Sequence, residues 1–372
     1  MIMADRVKAL VPPYGLVGMF PYKEHPWTAQ KLVIDLERRT LAARQWLEDN
    51  EWDPIVEGFM DGKTLKRAAY LPKDPTIAHH ATMTGQEVAV HQMWGKSRVV
   101  LDVHPGMISH LRASDSDKFP PMVLKHLTHL NPLVFLGQPV MLKDSADKPI
   151  RMIGWYVVGM TGRQQYVDTQ DDQASSFHLT TVSEVLSDDH KEVIDWDYCR
   201  ITLPITGADA TVGELITQGL DRFAWDPMIK GQTGGAQRRY MSDLLHVLIP
   251  HMLYLVSQNL ESKPKPFTAP APPRRNKWDR KQGGGKVDRY LVGYRSGPVL
   301  ASLEGWEGDE VEPRGPKGEQ GSRKSPRPHW RRAHFHTYRY GPGRTERKVK
   351  WLGPMPINAD GSVADTTIVK VK

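Results

Sequence analysis

One cysteine, Cys199, stands in 372 residues. That excludes an intramolecular disulfide framework and a cysteine-rich zinc site, and it fits a reducing cytoplasm. Long apolar runs are missing too. The longest, residues 247–256, is too short to span a bilayer and contains Pro250 and His251. The opening MIMADRVKALVPPYG has no basic stretch leading into an apolar one, so no secretory leader is expected. The chain also lacks G-x-S-x-G, G-x-x-x-x-G-K-[ST] and H-E-x-x-H. Gly283-Gly284-Gly285-Lys286 is a flexible tract rather than a phosphate loop. These absences favour a cytoplasmic binding protein without a cofactor over an enzyme.

What is present begins with enough apolar residues, 39%, for a real core. With 31 Gly and 29 Pro, many turns and long loops are expected. The net charge of +7 conceals an uneven distribution. Residues 261–372 carry 24 Lys+Arg against 12 Asp+Glu, so the preceding 260 residues are net acidic. Cationic charge gathered at one end points to a polyanionic or acidic partner, with a merely solvated basic surface as the alternative.

Residues 27–50 read as a helix, with Thr28 as N-cap and Leu32, Leu36, Leu41, Ala43 and Leu47 on its apolar side. Arg38, Arg39 and Arg44 then face water. Residues 61–95 suggest short helices mixed with turns. Arg98 to Val103 is a strand closed by the turn signal His104-Pro105-Gly106. Further strands are expected at 138–143, 150–160, 174–182 and 198–205, a series that implies a largely antiparallel sheet. Thr211 and Glu214 have the spacing of a capping box, opening a helix through about Phe223. A second helix spans about 241–260, bent or broken at Pro250. The fold class is therefore α+β: a mainly antiparallel sheet with packed helices, plus a basic C-terminal β-hairpin. Three regions follow. Residues 1–262 form a mixed α+β domain, and 263–286 a Pro/Gly-rich basic linker or loop. Residues 287–372 form a basic β-rich region containing a disordered loop at about 303–327.

The chemistry concentrates after Pro328. The run His329-Trp330-Arg331-Arg332-Ala333-His334-Phe335-His336-Thr337-Tyr338-Arg339-Tyr340 leads through Gly341-Pro342-Gly343 and Arg344 to the basic strand Arg347-Lys348-Val349-Lys350-Trp351. Strand alternation puts His334, His336, Tyr338 and Tyr340 on one face and Phe335, Thr337 and Arg339 on the other. Guanidinium groups grip phosphates or carboxylates through paired hydrogen bonds, and aromatic rings stack on bases. The combination suits RNA, or an acidic or aromatic peptide. The candidate contact residues are His329, Arg331, Arg332, His334, His336, Tyr338, Tyr340 and Arg344. Burial preference assigns Trp330 and Trp351 to the core. His334-x-His336 has a spacing that metal sites use, but no carboxylate lies in the strand and no cysteine is near, so no metal is expected. A ribonuclease using His329, His334 or His336 as acid and base is chemically allowed, though no motif shows it.

This segment resembles the C-terminus of the second described type V-A anti-CRISPR family. The similarity rests on Pro328, His329, Arg331, Arg332, Ala333, His334, Phe335, His336, Tyr338, Gly341, Gly343 and Trp351. Fainter matches, in the same order along the family, are Val99 to Asp102, Leu203 to Phe223 and Leu248 to Leu255. Residues 1–95 show no match, and residues 263–286 look like an insertion. The resemblance implies an inhibitor that binds the N-terminal peptide of a nascent type V-A CRISPR nuclease. It also implies translation-dependent degradation of that nuclease's mRNA, with the message or the translating ribosome as further partners and no membrane. The alternatives are a plasmid or phage RNA- or DNA-binding protein with a target unrelated to CRISPR, or the ribonuclease above.

Overall fold

Every residue of β1 (Val99–Val103) is buried, as expected of a strand covered on both faces. It lies inside a nine-stranded sheet. The computed structural model describes residues 28–49, 75–116, 118–161, 174–190, 193–205, 211–214, 217, 234–270, 285–302, 329–344 and 346–357. At 75–80, 82, 83, 194, 195, 234, 329, 330, 346, 356 and 357 it describes the backbone alone. Residues 271–284 of the expected 263–286 linker, the expected disordered loop at 303–327 and the later part of the helix opened at Thr211 lie outside the described residues.

The antiparallel half of the sheet agrees with the sequence reading. It comprises β2 (Leu133–Lys143), β3 (Pro149–Met160), β4 (Ser176–Leu186), β5 (Val193–Asp197) and β6 (Arg200–Pro204), each pairing antiparallel with its neighbour. The other half departs from it. β1 runs parallel both to β2 and to β9 (Gly285–Val292), giving the order β5-β4-β3-β2-β1-β9, with β7 (Ser262–Pro264) at the far edge. The short strands β7 and β8 (Phe267–Ala269) pair with β9. The start of the segment read as a linker is thus extended, as its prolines require, but bonded into the sheet.

Helices cover both faces. On one lie α1 (Ala29–Asp49) and α2 (Pro75–Ser97), packing Leu32, Leu36, Val90, Met93 and Trp94 against Val100, Leu133, Phe135 and Tyr156. Thr28 caps α1, its hydroxyl accepting from the Lys31 N–H at 3.2 Å. Two of the three arginines expected in water are instead engaged. Arg39 pairs with Asp35 at 2.6 Å and lies 3.9 Å from the Trp196 ring centre, while Arg44 pairs with Glu48 at 2.9 Å. Residues 75–97, most of which fall in the stretch read as short helices and turns, form one helix; it is buried on several sides and so shows little apolar periodicity in sequence.

On the opposite face lie α3 (Pro105–Arg112), a 3-10 helix at Pro121–His126 and α4 (Gly234–Leu255). His104-Pro105-Gly106, read as a strand-closing turn, in fact opens α3. His104 is its N-cap, accepting from the Gly106 N–H at 3.2 Å, and Pro105 occupies the first turn. α4 continues through Pro250, with Leu244, Leu248, Met252 and Leu255 buried against the sheet. The Thr211–Glu214 capping box is formed, with the Glu214 carboxylate accepting from the Thr211 N–H at 2.7 Å. A short α5 (Ser296–Ala301) follows β9. Two small antiparallel pairs follow, the second of them on the α4 side. One is β10 (His329–Arg331) with β13 (Met355–Ile357), and the other is β11 (His334–Tyr340) with β12 (Glu346–Leu352).

Candidate functional site

The β11–β12 hairpin is seated through the face that carries its apolar residues. Phe335 and Trp351, directly opposite in register, are 7% and 4% exposed. Phe335 meets Phe119 edge-on with ring centres 5.8 Å apart, and Trp351 meets Tyr254 of α4 at 5.4 Å. The Trp351 indole N–H donates to the Ser114 hydroxyl at 3.2 Å. Asn259, just past α4, clamps the Trp351 backbone: its side chain accepts from the Trp351 N–H at 3.0 Å and donates to the Trp351 carbonyl at 2.7 Å. The Gln258 N–H donates to the Val349 carbonyl at 2.9 Å. None of these partners was anticipated, and none carries a local sequence signal.

The burial pattern follows the expected strand alternation. Phe335 is buried, whereas His336 and Tyr338 are exposed and His334 and Tyr340 half-buried. Across β12 the outward face continues with Lys350 opposite His336 and Lys348 opposite Tyr338. His336 and Tyr338 meet edge-on at 4.5 Å, and Lys348 lies 3.9 Å from the Tyr340 ring centre. His334 shares a 3.2 Å hydrogen bond with the Arg332 carbonyl. Arg331, Arg332, Arg339, Arg344 and Arg347 are all exposed, and none of them pairs with a described carboxylate. Arg344 ends the turn in the left-handed region, φ 55°, after Gly341 and Gly343 at φ 78° and 64°. The strand backbone places His329 in line with Arg331 on β10.

The structure thus places His334, His336, Tyr338, Tyr340 and Arg344 on the hairpin, with Arg331 at the end of β10 and Arg332 between β10 and β11. It offers the exposed rings of His336 and Tyr338 on alternate strand positions, in edge-on contact and bordered by cations. Guanidinium groups in such a setting can pair with carboxylates or phosphates. Among the described residues, no group of three or more His, Cys, Asp or Glu is arranged to hold a metal ion.

A second concentration of polar groups, missed by sequence reasoning, lies under α1 and α2. Glu87 is held protonated up to about 7 because burial disfavours its charge more than the Tyr198 hydroxyl and Arg39 favour it. His91 shares a 2.8 Å hydrogen bond with the Tyr156 hydroxyl, and burial, with Arg98 nearby, lowers its pKa to about 3. At the end of β1, Asp102 is paired with Arg289 at 2.7 Å, yet burial raises its pKa. These groups are enclosed among packed helices and sheet, in contrast to the open hairpin.

Fold and site together define an α+β protein with an exposed cationic and aromatic hairpin docked beside α4. Residues 101–359 match the AcrVA2-like model, the anti-CRISPR type V subtype A2 family, and the chain belongs to that family. It is accordingly an anti-CRISPR protein directed at type V-A systems. The chain is similar to the crystal structure of AcrVA2, at 15% sequence identity over 88% of this chain and 96% of that one, with a TM-score of 0.44. No curated protein matches the chain. None of its described helices is long and apolar enough to cross a membrane.

Proposed function

We propose that the protein lowers the abundance of a type V-A CRISPR nuclease by recognising its nascent N-terminal peptide and bringing about loss of the mRNA being translated. The observation that carries this reading is the hairpin: a family member presents an exposed surface of arginines without described carboxylate partners beside His336 and Tyr338. Arg331 and Arg332 are the residues expected to contribute most. A charge-assisted hydrogen bond contributes roughly 1.5–3 kcal/mol. Changing both arginines to alanine is therefore expected to weaken partner binding at least tenfold and abolish knockdown, with the melting temperature unchanged. Lysine at both positions restores little, because an ammonium lacks the planar fork. A double variant that folds normally and retains full knockdown removes these arginines from the site.

The exposed Tyr338 and His336 rings support a second reading, direct contact with RNA. A reporter fused to the nuclease's N-terminal coding region separates the two. Synonymous recoding keeps the peptide and changes the RNA; paired frameshifts keep most of the RNA and change the peptide. Peptide recognition predicts mRNA loss in the first case and none in the second.

A further inference from the structure

The two edges of the β11–β12 hairpin are treated differently. In an antiparallel pair, backbone groups alternate between pointing at the partner strand and pointing away. The Val349 carbonyl and both backbone groups of Trp351 point away from β11, because Gln258 and Asn259 bind them. Val349 and Trp351 lie opposite Thr337 and Phe335, and the register is continuous to Arg339 opposite Arg347. The outward groups of β11 are therefore the N–H and C=O of Phe335, Thr337 and Arg339. No described residue hydrogen-bonds them. One edge is closed by an asparagine that imitates a strand; the other, flanked by Arg331, Arg332 and Arg339, has no strand or side chain bonded to it among the described residues.

We propose that this edge takes up an extended polypeptide as a third strand beside β11, with acidic side chains favoured by the surrounding arginines. The proposal rests on the peptide-binding reading above and supplies its geometry. Alternating donors and acceptors at strand spacing match a polypeptide backbone and have no counterpart along a sugar–phosphate chain. Such recognition suits a nascent segment that has not yet folded, because it asks only that the segment be extended. Side chains of the added strand would alternate between the His336–Tyr338 face and the face of Phe335, which would set the choice among sequences.

The test uses the full-length protein and a synthetic peptide of the nuclease's N-terminal twenty or so residues. Hydrogen exchange followed by NMR is expected to show the amides of Phe335, Thr337 and Arg339 gaining at least tenfold protection on peptide addition. Those of His336 and Tyr338, already turned toward β12, should not change. Thr337→Pro removes one outward N–H without removing a hairpin hydrogen bond, and edge strands tolerate proline in that orientation. It should fold as the parent does and bind the peptide at least tenfold more weakly, while Thr337→Val binds normally. Undiminished binding by a folded Thr337→Pro overturns strand addition and leaves peptide recognition standing. A parent protein that does not bind the peptide at all overturns both. Amides already protected without peptide, whether by another part of this chain or a second copy, or protected by a uridine homopolymer and not by peptide, overturn the proposal as well.

Discussion

Arg98 shows how much one side chain can join. It sits in the left-handed region, φ 50°, between α2 and β1, and its N–H donates to the Trp94 carbonyl at 2.7 Å to close the helix. Its guanidinium pairs with Glu37 of α1 at 2.8 Å and donates to the Lys286 carbonyl at 3.1 Å. The Glu37 side chain is buried, and one of its oxygens has no hydrogen-bond partner. Removing a single member of such a pair strands a charge in the interior. Arg98→Ala is expected to destabilise the protein by about 3 kcal/mol, measured by urea unfolding. Adding Glu37→Gln should recover at least half of that loss. If the double variant is no better than the single, the pairing is not what Arg98 contributes. From sequence, Arg98 was simply the first residue of a strand. The apolar run fixed that strand correctly, but a positive φ at an arginine leaves no mark in composition.

At the scale of elements, α3 and α5 approach so closely that two glycines are obligatory. A Cβ on Gly106 would overlap the Gly297 carbonyl oxygen, and one on Gly297 would overlap the His104 ring. Gly106→Ala should therefore destabilise by roughly 1–3 kcal/mol, seen as a lowered denaturant midpoint at unchanged slope. An unchanged midpoint would show that α5 yields without cost. Sequence reading took Gly106 for part of a turn, since a glycine demanded by a helix 190 residues away looks like any other. The hairpin shows both sides of legibility. Its alternation was readable because period two is a local pattern, and Phe335 and Trp351 are buried as that pattern and their size required. Its seating was not, because Asn259 and Ser114 meet Trp351 from far along the chain. The antiparallel strands were also legible one by one. The parallel placement of β9 against β1 was not, because pairing partners are chosen by tertiary packing rather than by either strand alone.

For the whole molecule, buried titratable groups set the response to acid. Burial lowers the pKa of His91 to about 3, His178 to about 3 and His251 to about 4, from 6.5. Below pH 6.5 the unfolded chain takes up protons at these sites that the folded protein refuses, so stability falls as pH drops toward 4. Glu87 acts in the opposite sense. It holds its proton to about 7 when folded but only to 4.5 when unfolded, which favours the folded state as pH falls through 7. Three histidines outweigh one carboxylate. The melting temperature is expected to fall on the order of 10 °C from pH 7 to pH 5. His91→Gln should flatten that slope, and a profile as steep as the parent's would assign the acid response to other groups.

The position of β9 also governs when the sheet can be completed. Val99 pairs with Asp288, and β1 has β9 for its neighbour on the side away from β2. At roughly 5–20 residues per second, a ribosome takes about 10–40 s to make the intervening chain. Throughout that interval β1 carries an unpaired flank rich in valine and leucine, the kind of surface that chaperones hold and that aggregates when they do not. The core of this protein can close only after its own synthesis has passed residue 292.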